Sequence, residues 1–349
     1  MKILNIKHTF KRYQTLYTHK IIALPIAIIM PHSACNCRCV MCDIWKGNKN
    51  AKQLSEKDVE NLLVSLKKLD TKRVVMSGGE ALLNKNFFSF CEIIKKQGIK
   101  ITLLSTGLTV YQNADKLVTL VDDIVVSLDG DEVTHDKIRN IKGAFSELKK
   151  GVQKIKALRP NFPVSARCVI HRLNYMIWDK IIVSAKEIGL DQISFLPADI
   201  TTTAFNRSEV WEKEKQESVL VPKEDLPQLK EMLQHLISSF GTYFDSRFIA
   251  ESREKIQKIH QYYSAHNNIE SFPEKKCNAP WVSAVVEADG TVRPCFFHDS
   301  LGSINNSSLL DILNSEKSIN YRKHLDVQTN PTCVKCVCYL NLTARNNSF

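Results

Sequence analysis

Six short apolar runs, each followed by a helical repeat, limit what this chain can fold into. The runs lie at 25–30, 73–76, 101–104, 124–128, Val164–Ile170 and 192–196. The first is a continuous apolar run, as expected of a strand covered on both faces. Between them stand amphipathic segments. The first opens at Ser55, with Asp58 three residues on, and carries Val59, Leu62, Leu63, Leu66 and Leu69 at helical spacing. Others lie at 87–97, 114–121, Ala144–Leu158 and Trp178–Ile188, with Gly98 and Gly189 placed as left-handed C-terminal caps. Strict alternation of this kind gives a parallel sheet with right-handed crossovers. The chemistry of such a sheet belongs at the C-terminal ends of its strands.

A cysteine-rich stretch follows the first strand. Cys35, Cys37, Cys39 and Cys42 place four thiols within eight residues. Such density exceeds what packing requires, and nothing marks a secreted, disulfide-bonded chain. Soft thiolates on one loop suit zinc, a redox thiol pair or an iron–sulfur cluster. The subset Cys35, Cys39 and Cys42 has the spacing C-x3-C-x2-C, which places three thiolates around one [4Fe–4S] cube and leaves its fourth iron open. Cys37 falls between these positions and reads as a spare thiol.

Cys35-x3-Cys39-x2-Cys42 resembles the signature of the radical S-adenosylmethionine (SAM) superfamily. The resemblance implies that the open iron binds the amino and carboxylate groups of SAM. One electron then cleaves SAM to methionine and a 5′-deoxyadenosyl radical, which abstracts hydrogen from a substrate. It also implies a partial (β/α)6 TIM barrel, in line with the six runs. Met41 stands where the family usually places an aromatic residue against the adenine. Ser77-Gly78-Gly79-Glu80 resembles the family's GGE turn, with Gly78 and Gly79 admitting the backbone to SAM and Glu80 accepting from its ammonium; Ala81 replaces the usual proline. Ser127 in Ser127-Leu128-Asp129-Gly130 resembles a SAM-contacting serine on strand four. Asp129 reads equally as a cap for the next segment, and Arg139 as a partner of the SAM carboxylate or a surface arginine. Leu196 would offer backbone contacts to adenine.

A second cysteine field lies near the other end. Cys277 and Cys295 flank two β-rich runs joined by Asp289-Gly290, a strong hairpin signal. Cys333-x2-Cys336 supplies two more thiols, and Cys338 is an alternative ligand. The pattern resembles the twitch domain, a shortened SPASM domain. It implies a small α+β domain holding a second, auxiliary [4Fe–4S] cluster through Cys277, Cys295, Cys333 and Cys336, with structural zinc the competing reading. The expected organisation is an N-terminal extension over 1–21, a core over 22–215, a helical linker over 216–274 and the auxiliary domain over 275–349.

The formal net charge of +11 invites a nucleic-acid partner. The basic residues are spread along amphipathic segments, however, and no aromatic platform is interleaved with them. No apolar run reaches the length of a membrane span. Absence of a secretion signal and the need for reduced thiols point to the cytoplasm. The substrate is not written in these motifs. The 24 residues before the first strand leave no room for the peptide-recognition domain of many peptide maturases, which favours oxidation or rearrangement of a small molecule. A peptide-modifying maturase is the alternative, and a non-catalytic iron–sulfur or zinc scaffold a third reading. Flavodoxin or ferredoxin is the expected reductant. Arg167, His171 and Arg172 around strand five are candidates to hold an anion or move a proton.

Overall fold

The computed structural model describes residues 2–204, 207 and 209–345. Its sheet follows from the runs above. Strands β1 (Ile26–His32), β2 (Arg73–Gly78), β3 (Lys100–Ser105), β4 (Asp123–Ser127), β5 (Val164–Ile170) and β6 (Gln192–Pro197) pair in sequence order, all parallel. Their helices are α2 (Glu56–Lys68), α3 (Phe87–Lys95), α4 (Val110–Leu120), α5 (Glu132–Arg139), α6 (Ala144–Leu158) and α7 (Trp178–Ile188). Alternate strand residues, such as Ile124 and Val126 on β4, are buried in the main apolar core with residues of these helices. The opposite face is less buried, as the open lumen of a half barrel requires.

The predicted ends are present. Ser55 Oγ accepts from the Asp58 amide at 3.3 Å while the Asp58 carboxylate accepts from the Ser55 amide at 2.8 Å, a full capping box. Gly189 closes α7 at φ +91°. Helix α5 has no counterpart in the sequence reading. Asp131, not Asp129, is its cap, accepting from the Thr134 amide at 3.0 Å.

The N-terminal stretch, read as an extension with no clear apolar period, contains a helix, α1 (Lys2–Thr18). Its polarity is inverted, which explains why no period was legible. His8, Arg12 and Thr15 face the protein, while Ile6, Phe10, Tyr13 and Tyr17 face outward. Arg12 donates to the carbonyls of Leu342 and Thr343, and Thr15 Oγ1 accepts from the Ile22 amide at 2.9 Å.

Beyond β6 come α8 (Lys213–Glu217), α9 (Leu226–Ser239), α10 (Gly241–Asp245) and α11 (Arg253–His266). Residues 248–250 lie along the β6 edge: the Ile193 amide donates to Phe248 O at 2.7 Å and the Ala250 amide to Ile193 O at 2.9 Å. After α12 (Ala279–Val282), the expected hairpin forms from β7 (Ser283–Val286) and β8 (Thr291–Arg293), and Gly290 takes φ +88° at its turn. The hairpin is not detached. Strand β7 pairs parallel with β1, and β9 (Gly302–Ser303) with β8, so one nine-stranded sheet runs β6-β5-β4-β3-β2-β1-β7-β8-β9. The 274/275 boundary is therefore crossed by continuous sheet. Helices α13 (Leu309–Asn314), α14 (Glu316–His324) and α15 (Pro331–Lys335) complete the chain. Among the described residues, no helix is long and apolar enough to cross a membrane.

Candidate metal and cofactor centre

The cysteine loop leaves the sheet where β1 loses its register. Pro31 brings no N–H to the ladder, and the pairing with β2 shifts between Ile29 and His32. Several ties then fix the loop. Asn48 brackets Cys35, accepting from its amide at 3.0 Å and donating to its carbonyl at 2.8 Å. The Arg38 and Val40 amides donate to Arg139 O and Ile138 O at the end of α5, both at 3.0 Å.

Glycine at 78 and 79 is a steric demand of this loop. Gly79 lies so close that a Cβ there would stand 2.1 Å from Ala34 O, and one at Gly78 (φ +115°) would stand 2.7 Å from His32 O. The Gly79 and Glu80 amides donate to His32 O and Ala34 O. The missing side chains thus admit the chain's own cysteine loop. Glu80 is fully buried, and its Oε2 accepts from Thr106 N at 2.7 Å, Thr106 Oγ1 at 2.8 Å and Ser105 Oγ at 3.0 Å. Burial raises its pKa while these donors oppose the rise. Its Oε1 accepts only a longer bond, 3.3 Å, from the Leu82 amide.

The thiols differ in environment. Burial pushes Cys35 up to about 11 and Cys42 up to about 12. Cys39 moves the other way, to about 6, because the Cys37 thiol hydrogen-bonds to it and Arg139 adds its charge. Arg139 Nη1 lies 3.4 Å from Cys39 Sγ, and Arg139 is ion-paired with the fully buried Asp129. Asp129 in turn accepts from the Val169 amide at 3.1 Å. Asp129 therefore anchors Arg139 against the cysteine loop, which is neither the cap nor the surface arginine of the sequence reading.

The other candidates separate. Ser127 ends β4 opposite Arg167 of β5, and Arg167 Nε donates to Ser194 Oγ on β6 at 3.3 Å, a polar row along the less buried face. Leu196, one pleat further on β6, borders the same cavity as Arg167. Met41 is buried in a small apolar cluster with Ile138, Ile200 and Trp211. His171 is fully buried, and burial pushes its pKa down to about 4, so it stands neutral with its Nδ1 accepting from the Leu173 amide. Arg172 donates to Glu217 O.

Sequence spacing gave no sign of the segment after β6. Trp211 Nε1 donates to Asp43 at 2.7 Å, and Lys215 Nζ to Val40 O at 2.7 Å, so this segment straps the cysteine loop.

In the second field, Cys277, Cys295, Cys333, Cys336 and Cys338 border one cavity. Burial pushes Cys295 up to about 12, Cys333 up to about 11 and Cys336 higher still. His298 Nε2 lies 3.2 Å from Cys333 Sγ, and buried Lys275 donates to Val334 O inside the C-x2-C loop. In both fields burial favours the protonated thiol at several positions, Cys35 and Cys42 in the first and Cys295, Cys333 and Cys336 in the second, so metal binding there would displace a proton. Thiol-rich donor sets suit iron–sulfur chemistry as they suit zinc, and the residues present agree in kind with the clusters the sequence implies.

Comparison with known proteins bears on this geometry. Residues 29–182 match the radical SAM superfamily and residues 277–337 an iron–sulfur cluster-binding domain, SPASM. The chain carries a radical SAM domain followed by a SPASM domain. A radical SAM domain implies a [4Fe–4S] cluster and SAM, and a SPASM domain implies auxiliary iron–sulfur clusters. Among relatives, the chain is 23% identical over 293 residues to the sporulation killing factor maturation protein SkfB of Bacillus subtilis, covering 83% of this chain and 65% of SkfB. It is 27% identical over 175 residues to a probable GTP 3′,8-cyclase of Methanococcus maripaludis, covering 47% of this chain and 57% of the cyclase. Its fold is similar to that of Streptococcus suis SuiB bound to precursor peptide SuiA, with a TM-score of 0.61 at 14% identity, over 93% of this chain and 72% of SuiB. The radical SAM chain thus spans less than two thirds of the length of either relative.

Proposed function

We propose that this radical SAM protein is a peptide maturase. Cys35, Cys39 and Cys42 hold the SAM-binding cluster, and Cys277, Cys295, Cys333 and Cys336 hold the auxiliary one, with Cys338 the alternative. When bound, the first cluster and SAM together supply a hydrogen-abstracting radical. The chain's own part is to orient and enclose. Arg139, anchored by Asp129, stabilises the Cys39 thiolate. The Gly78-Gly79 turn seats the cysteine loop against β2. Glu80 Oε1, the less occupied oxygen of its carboxylate, is the acceptor assigned to the SAM ammonium. Ser127 and Leu196 stand at neighbouring strand ends for the rest of SAM, whereas Met41 lines the loop's own core. The functional units we infer remain a core over 22–215, a helical cover over 216–274 and an auxiliary unit over 275–349.

The observation that carries the substrate class is how far the likeness extends. The maturation protein SkfB matches across 83% of this chain, the cyclase across only 47%. This reverses the order reached from sequence, which put a small molecule ahead of a peptide. The reductant is a low-potential carrier such as flavodoxin or ferredoxin.

The test is anaerobic reconstitution with SAM and reductant, offering candidate precursor peptides carrying deuterium at carbon. Peptide-dependent 5′-deoxyadenosine containing deuterium supports the reading. Such turnover with GTP or another small molecule, and with no peptide, contradicts it.

A further inference from the structure

A cavity opens between β5, the end of β6, helix α11 and the chain around 273–275 and 336–339. Its charge is one-sided. Arg167, Lys255, Lys258 and Lys275 border it, and Glu251 is the acid among its lining. Glu251 offsets only part of this charge: its Oε1 lies 3.6 Å from Lys255 while its Oε2 accepts from the Phe195 amide at 3.0 Å, so the lining keeps more cations than acids.

The cations differ in how far their donors are used. Lys258 donates to Glu274 O at 2.9 Å, and Lys275 to Val334 O. Arg167 uses only Nε, toward Ser194 Oγ; among the described residues its two terminal nitrogens donate to nothing. An arginine held by one nitrogen, with its outer edge free, is pre-set for the paired acceptors of a carboxylate. The remaining walls include Ile259, Tyr262 and Tyr339, which suit apolar neighbours of that carboxylate.

We propose that this cavity binds an Asp or Glu side chain of the peptide substrate, with its flanking apolar residues, and that Arg167 is the carboxylate's principal partner. The proposal rests on the peptide reading above. It makes Arg167 a specificity-determining residue of the open half barrel, and it leaves buried His171 without a part in binding.

The probes are two labelled synthetic dodecapeptides, identical except for one central Glu or Gln between leucines. Fluorescence anisotropy follows their binding to the reconstituted protein, with saturating SAM and without it. The Glu peptide should bind roughly tenfold more tightly than the Gln peptide, and its affinity should fall with added salt. Arg167→Gln should abolish the preference, and Arg167→Lys should keep part of it. Equal affinity for the two peptides, binding of neither, or a preference that survives Arg167→Gln overturns the proposal. So does a preference that vanishes when SAM is added, which would give Arg167 to the carboxylate of SAM. Equal affinities leave the peptide reading standing. That reading falls on its own measurement, the absence of peptide-dependent turnover.

Discussion

The two oxygens of the Glu80 carboxylate are unequally used. Its Oε2 gathers three donors from Ser105 and Thr106, joining the turn after β2 to the end of β3. Its Oε1 accepts one longer bond from the Leu82 amide and is the atom we propose for the SAM ammonium. Glu80→Gln keeps the shape and removes the charge. A charge-assisted hydrogen bond contributes about 1.5–3 kcal/mol, so SAM affinity by equilibrium dialysis should fall roughly 10- to 150-fold. Unchanged affinity would confine Glu80 to tying the strands. His171 gives a pH signature. Its folded pKa, near 4, lies below the ordinary 6.5, so the unfolded chain takes up the proton first as pH falls. Its neutral form stabilises the fold fully above pH 6.5, and that stability is lost as pH drops toward 4. In His171→Asn, whose side-chain oxygen replaces the Nδ1 acceptor, urea midpoints should fall less steeply than in wild type between pH 6.5 and 4.5. Identical slopes would contradict the assignment. The spacing of the thiols singled out Cys35, Cys39 and Cys42 as candidate ligands at this scale. The Asp129–Arg139–Cys39 chain was not, since its contacts join residues up to 100 positions apart that only the packing of α5 brings together.

Elements with a strong local signal were legible almost residue by residue. Helix α6 and strand β5 lie where their apolar periods end, and the capping box marks the start of α2. Helix α1 was hidden because its buried face is polar and its outward face apolar, the reverse of the pattern that periodicity detects. The pairing of β7 with β1 was hidden for another reason: the Asp289-Gly290 turn specifies the partner within the hairpin and says nothing of the hairpin's outer edge. The turn after β2 shows how an element carries the site. Gly79→Ala would drive a methyl into Ala34 O, so the cysteine loop has to move. Iron analysis should show loss of the core cluster's iron with that of the auxiliary field retained. Full iron content would mean that the close approach is not needed to hold the loop.

At the scale of the molecule, one sheet connects two thiol fields, the first at the end of β1 and the second flanking the hairpin paired to β1. The fields should load independently. After reconstitution, the variant with Cys35, Cys39 and Cys42 all changed to alanine should keep about four irons and four sulfides, as a [4Fe–4S] cluster requires. Stoichiometric zinc without sulfide would contradict the auxiliary cluster. The same variant gives the most direct test of the account as a whole, that these three thiols hold the cluster at which SAM is cleaved. The measurement is 5′-deoxyadenosine formed from SAM under anaerobic reducing conditions, quantified by mass spectrometry for wild type, the triple variant and Cys37→Ala. The account predicts product from wild type and Cys37→Ala and none from the triple variant. Product from the triple variant, or its complete loss on changing Cys37 alone, would contradict it.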